Sequence, residues 1–213
     1  MTTTDDSHAW LKTVREGIAE LTQHYGGYWR REKIVLGSCP TEKELAVREQ
    51  GLGIRLPEDY RDFLLHIGNG GFGPDLGLSV FPLGPNDPSL EHGSHWPSIP
   101  EHEEVIGSPF PHTKARHFFT DTPPDDWEVL TGFLELGDRG CGMYSILVVS
   151  GEEYGHVWQT DEYGVGPYEE GYRLTSLIGK LLWPPIRPHR YTFKDWYLDW
   201  LQAMLNTARR SAP

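Results

Sequence analysis

Residues 41–84, TEKELAVREQGLGIRLPEDYRDFLLHIGNGGFGPDLGLSVFPLG, decide how this chain is read. Thr41 and Glu44 have the S/T-x-x-E spacing of a reciprocal helix cap, and the helix they open closes near Gly51-Leu52-Gly53. Pro57 suits the first turn of a second helix, where a missing N–H costs nothing. Tyr60, Phe63, Leu64 and Ile67 then repeat at i, i+3, i+4 and i+7 and give that helix one apolar face. Gly68, Asn69, Gly70 and Gly71 stop it with residues that tolerate positive φ. Leu78, Val80 and Phe81, followed by Pro82, read as a strand entering a core.

Upstream, residues 7–25 predict an N-terminal helix. Ser7 can cap it, and Leu11, Val14, Ile18, Leu21 and Tyr25 fall on one stripe. The stripe is too short for a coiled coil and predicts docking on the domain that follows. Downstream, residues 85–126 are rich in proline, histidine and acids, which predicts a long loop or insertion on the surface that carries the ends of the flanking strands. Strand texture returns over 127–136, 143–149 and 156–160. The Gly-rich connections 137–142 and 151–155 are short enough for an antiparallel meander. Leu174, Leu177, Ile178, Leu181 and Leu182 mark a helix halted by Pro184-Pro185. In the last helix Phe193, Trp196, Tyr197, Trp200, Leu201 and Met204 hold the helical period behind Thr192 and Asp195, as core aromatics do. The fold class is α+β, a twisted, mainly antiparallel sheet packed by helices. Residues 1–35 form a helical extension, and 36–213 a domain with a loop insertion at about 85–126.

Formal charge is −12, from 31 acids against 19 bases. That excess argues against direct nucleic-acid binding, which needs clustered positive charge, and suits either a basic partner or simple solubility. The first ten residues lack the features of a signal peptide, and no apolar run is long enough to span a bilayer. A cytoplasmic protein without membrane contact is expected. Cys39 and Cys141 stand far apart and outside any CxxC, so neither a disulfide framework nor a thiolate zinc site is expected.

Glu49, Leu52, Gly53, Leu56, Pro57, Tyr60, Phe63 and Leu64 are followed by Asn69-Gly70-Gly71 and the strand near 77–83. Farther on come Leu134, Gly137-Asp138, Gly140, the 146–149 strand, Gly151, Gly155-His156-Val157-Trp158 and the Phe193-x-x-Trp196 helix. In this order the chain resembles the SMI1/KNR4 family, also called SUKH, over residues 36 to 206. Arg48, the 85–126 insertion and the additional helix before the last one depart from the family's pattern. The resemblance implies a non-enzymatic α+β protein. Bacterial members look like immunity proteins that block toxins, often nucleases, and fungal members look like regulatory scaffolds.

Competing chemistry finds little support in the residues. His92, His95 and His102, with Glu101, Glu103 and Glu104, could gather around a metal, but no helical frame fixes them, and a solvated loop cluster is the ordinary reading. The Gly137-x-x-Gly140-x-Gly142 run precedes a strand where a phosphate loop needs a helix, so it is a hairpin turn. No nucleophile elbow is present, and no catalytic residue or cofactor is expected. The acidic groups Asp125-Asp126, Asp161-Glu162 and Glu169-Glu170 would meet the lysines and arginines of a basic toxin domain. Trp127 and Trp158 are candidate anchors beside them, against core packing as the ordinary role of such residues, and Tyr163 and Tyr168 lie in a Gly-rich acidic loop. The expected function is an immunity protein that neutralises a cognate toxin by stoichiometric binding. A regulatory scaffold is the alternative, and a metal-dependent hydrolase the third reading.

Overall fold

Local caps and turns set the element boundaries before any long-range packing is considered. The computed structural model describes residues 8–25, 34–84, 105–117, 130–161, 163–168 and 190–211. In chain order the elements are α1 (Ala9–Tyr25), α2 (Glu42–Leu52), α3 (Glu58–His66), β1 (Arg116–His117), β2 (Phe133–Gly140), β3 (Met143–Val148), β4 (Val157–Asp161), β5 (Gly164–Pro167) and α4 (Phe193–Ser211). The expected Ser7 cap and the helix predicted around Leu174 to Leu182 lie outside the described residues.

Thr41 and Glu44 form the full capping box of α2. Glu44 Oε2 accepts from Thr41 N at 2.7 Å, and Glu44 N donates to Thr41 Oγ1 at 3.3 Å. Pro57 sits one position earlier than expected, as the N-cap of α3, and its carbonyl accepts from Arg61 N at 2.9 Å. Glu49 couples the two helices: Oε1 accepts from Leu56 N at 2.7 Å and Oε2 from Arg61 Nε at 3.1 Å. Asp59 in turn ties α3 to the start of α4, accepting from Lys194 N at 2.8 Å. Arg48, an unexpected polar residue in the apolar pattern, donates from Nε to Pro82 O at 2.9 Å.

The segment read as a strand over Leu78 to Phe81 makes isolated bridges at Leu78, with Gly71, and at Val80, and forms none of the named strands. Asn69 explains the difference. Its buried side chain accepts from Phe81 N and donates to Phe81 O, both at 2.8 Å, so a side-chain amide stands where a strand would pair. Gly71 has φ +100°, and a Cβ there would run into Val35 O.

All strand pairings are antiparallel, in the order β1-β5-β4-β3-β2. The predicted meander β2-β3-β4 is present, with two changes. β2 begins at Phe133 because Gly132 turns the chain with φ +70°. It also runs through Gly140, leaving only Cys141-Gly142 as the turn, at φ 56° and 73°. On one face of the sheet Leu134, Leu136, Leu147 and Val157 join the main core with the helices. On the other, Ile146, Val148, Trp158 and Val165 are covered by Phe110. Residues 105–117 thus contribute to both cores, Ile106 to the first and Phe110 to the second.

α1 does dock on the domain. Trp10, Leu11, Val14 and Leu21 are buried in the same core as α4, and Arg209 forks onto Glu20 at 2.6 and 2.8 Å. Aromatic rings bind α3 to α4: Phe63 lies 5.1 Å from Phe193 and 4.8 Å from Tyr197, centroid to centroid.

Candidate protein interface

The register of the sheet brings its hairpin tips to one end. Asp138 pairs with Tyr144, Tyr144 with Thr160, and Thr160 with Val165, so the Cys141-Gly142 turn and the β4–β5 turn are neighbours. A third loop joins them from the free edge of β2. Leu76 N donates to Asp138 O at 2.9 Å and Ser79 N to Leu136 O at 2.8 Å, which covers that edge. Gly137 permits the contact, since a Cβ there would lie 2.9 Å from Gly77 O and 3.1 Å from Asp75 Oδ2.

Two large apolar side chains stand out on this end, Leu76 at 70% exposure and Tyr163 at 59%. Three strand spacings of about 4.8 Å separate their segments, or about 15 Å, well within a standard protein interface. Asp75 precedes Leu76 in its loop, Asp138 receives Leu76 N on its carbonyl oxygen, and Glu135 lies three residues back along β2. Burial, reinforced by the Asp138 charge, pushes Glu135 up to about 7. Burial likewise pushes Asp75 up to about 6, against the pull of Arg139, whose Nε is 3.7 Å from Asp75 Oδ1. Arg139 is itself held by Gln159 Oε1 at 2.6 Å. A cation brought to this end would favour the ionised form of both acids.

Of the residues expected to form the binding surface, four are described, and they take different places. Tyr163 is on the surface. Asp161 is committed to the β4–β5 turn, its Oδ1 accepting from Tyr163 N at 2.8 Å and Gly164 N at 2.9 Å. Trp158 is fully buried, edge-on to Phe110 at 5.0 Å and under the Arg190 guanidinium at 5.4 Å, so it packs the outer face of the sheet. Tyr168 packs on Tyr191 and Trp196, at 5.4 and 6.4 Å. Asp125, Asp126, Trp127, Glu162, Glu169 and Glu170 lie outside the described residues, as do His92, His95 and His102.

Sequence reasoning did not single out Leu76, Asp75, Glu135 or Asp138 as site candidates. Leu76 left a signal, an apolar residue alone in the Gly-Pro-Asp-Leu-Gly turn, where no helix or strand period explains it. Glu135 left another, a charge between Leu134 and Leu136 in a strand.

This sheet, with its glycine-bounded tips and flanking helices, can be set beside known families. Residues 39–176 match the SMI1 / KNR4 family (SUKH-1), well over half of the chain. The chain belongs to the SMI1/KNR4 family. That family includes toxin immunity proteins, and its members are generally not catalysts. No match to a curated protein accompanies this SUKH-1 assignment. Among the described residues no helix is long and apolar enough to cross a membrane.

Proposed function

We propose that this SUKH-1 protein is an immunity protein that binds and neutralises one cognate toxin domain, and that it acts without catalysis. The observation that carries the reading to a surface is the exposure of Leu76 and Tyr163 at the hairpin-tip end of the sheet, with Asp75 next to Leu76 in its loop and Asp138 on the strand that this loop covers. Apolar anchors supply most of the binding energy in such contacts, and surrounding charge speeds encounter and selects the partner. A basic toxin domain fits the acid excess of the chain, and a nuclease, which presents lysines and arginines to phosphates, is the toxin chemistry it suits best.

The test is co-expression with the C-terminal domain of the toxin encoded beside it, scored by survival and by a one-to-one complex that co-purifies. Rescue with a stable complex supports the reading. Leu76→Asp with Tyr163→Ala should then weaken the complex by at least about tenfold, as loss of anchors does. An active toxin that is neither bound nor blocked turns the reading to a regulatory scaffold.

A further inference from the structure

Asp62 and His66 lie four residues apart on α3 and therefore share a face. The start of α1 comes down on that face. His8, one residue before α1, sets its ring edge-on to His66 with centroids 5.4 Å apart, and its Nε2 stands 3.7 Å from Asp62 Oδ2. One donor atom from each of His8, Asp62 and His66 lies within 4.8 Å of the other two. A tetrahedral ion with bonds of about 2.0–2.1 Å holds its donors about 3.4 Å apart, so small side-chain rotations would gather the three.

A second observation points the same way. His66 Nδ1 is 2.9 Å from the carbonyl oxygen of Asp62. A carbonyl oxygen only accepts, so in the neutral ring the proton is on Nδ1 and the lone pair on Nε2. Metal-ligating histidines are held in this manner, the other ring N–H given to a backbone carbonyl or carboxylate. Arg15 Nη2 donates to His66 O at 3.0 Å, which ties α1 to α3 at the same place. Its charge opposes a dication, and the Asp62 carboxylate offsets it.

We propose that His8, Asp62 and His66 form a three-ligand site for a divalent transition metal, zinc above all, which staples the start of α1 to α3. Two imidazoles and one carboxylate are a zinc-type donor set, with water completing the shell. The ion fixes the N-terminal helix in place, and no reaction is assigned to it. The site is separate from the hairpin-tip surface, and the inference does not depend on the immunity reading.

The experiment is a calorimetric titration of the tag-free, chelator-stripped full chain with zinc chloride, with thermal melts run alongside. One equivalent should bind and raise the melting temperature. His66→Ala and Asp62→Asn should each weaken binding by at least about 10–100-fold, the loss typical even of an outer-shell partner. His92→Ala with His95→Ala should leave the titration unchanged, which separates this site from the other histidines. In the unmutated chain loaded with cobalt, the strongly shifted imidazole resonances should be those of His8 and His66. The absence of binding, binding that survives His66→Ala, or shifted resonances from other histidines would overturn the proposal.

Discussion

Asn69 shows how much one side chain can organise. Both of its hydrogen bonds go to the backbone of Phe81, a buried residue twelve positions on. Asn69→Ala leaves a buried N–H and a buried C=O without partners, and each such group costs about 1–3 kcal/mol. A loss of about 2–4 kcal/mol is expected in urea unfolding, with the slope unchanged. Asn69→Asp should lose stability at neutral pH, where its carboxylate faces Phe81 O, and recover part of it in acid, where the protonated group can donate. At this scale the sequence was half legible. Asn69-Gly70-Gly71 announces the end of α3 through its tolerance of positive φ, a local property. The pairing with Phe81 has no periodic signature, because it depends on where the chain returns. Glu49 is similar: its place before Gly51-Leu52-Gly53 is visible, but its two-sided hold on Leu56 and Arg61 needs both helices in position.

At the scale of elements, what could be read was whatever repeats or caps locally. α2 carries its cap within itself, α3 its apolar period, and α4 both. β3 stands out as an apolar run and β4 as strand texture, each next to glycine turns. β1 could not be seen, since two residues become a strand only beside Val165 and Gly164 of β5. β2 starts later than the strand texture suggests because Gly132, at φ +70°, looks like any loop glycine until the fold fixes that angle. The β2–β3 turn carries a prediction of its own. Cys141 is a non-glycine residue at φ 56°, followed by Gly142 at φ 73°, and two-residue turns of this kind favour Asn-Gly. Cys141→Asn should therefore raise stability by about 0.5–1 kcal/mol, the scale of relieving one left-handed residue. Urea midpoints measured under reducing conditions would show it. A loss would mean that the exposed Cys141 thiol makes a contact worth more than the backbone strain.

For the whole molecule, the acid excess and the two raised carboxylates combine into a pH dependence with opposite signs for folding and for binding. Glu135 titrates at about 7 in the fold, above the usual value of 4.5, because burial and Asp138 disfavour its charge. Its contribution to folding is complete below the unfolded value and is lost as pH rises through about 7; Asp75 behaves alike from its usual 3.8 to about 6. Glu20 and Glu42, held below their usual values by bonds from Arg209 and Arg61, run the other way, their effect lost as pH falls. Glu135→Gln should thus leave the melting temperature unchanged near pH 4 and raise it by a few degrees near pH 8, at about 2–4 °C per kcal/mol. A basic partner reverses the sign, because its positive charge favours the ionised Glu135 and drives a proton off on docking. Affinity for the toxin domain should then climb from pH 6 to pH 8, by at most about tenfold per pH unit for each proton released. Added salt should weaken it throughout. Glu135→Gln should flatten that climb while keeping the complex, whose proposed anchors are Leu76 and Tyr163. If calorimetry in two buffers of different ionisation heat finds no proton release, the partner's cations do not reach Glu135, and the interface lies away from this end of the sheet.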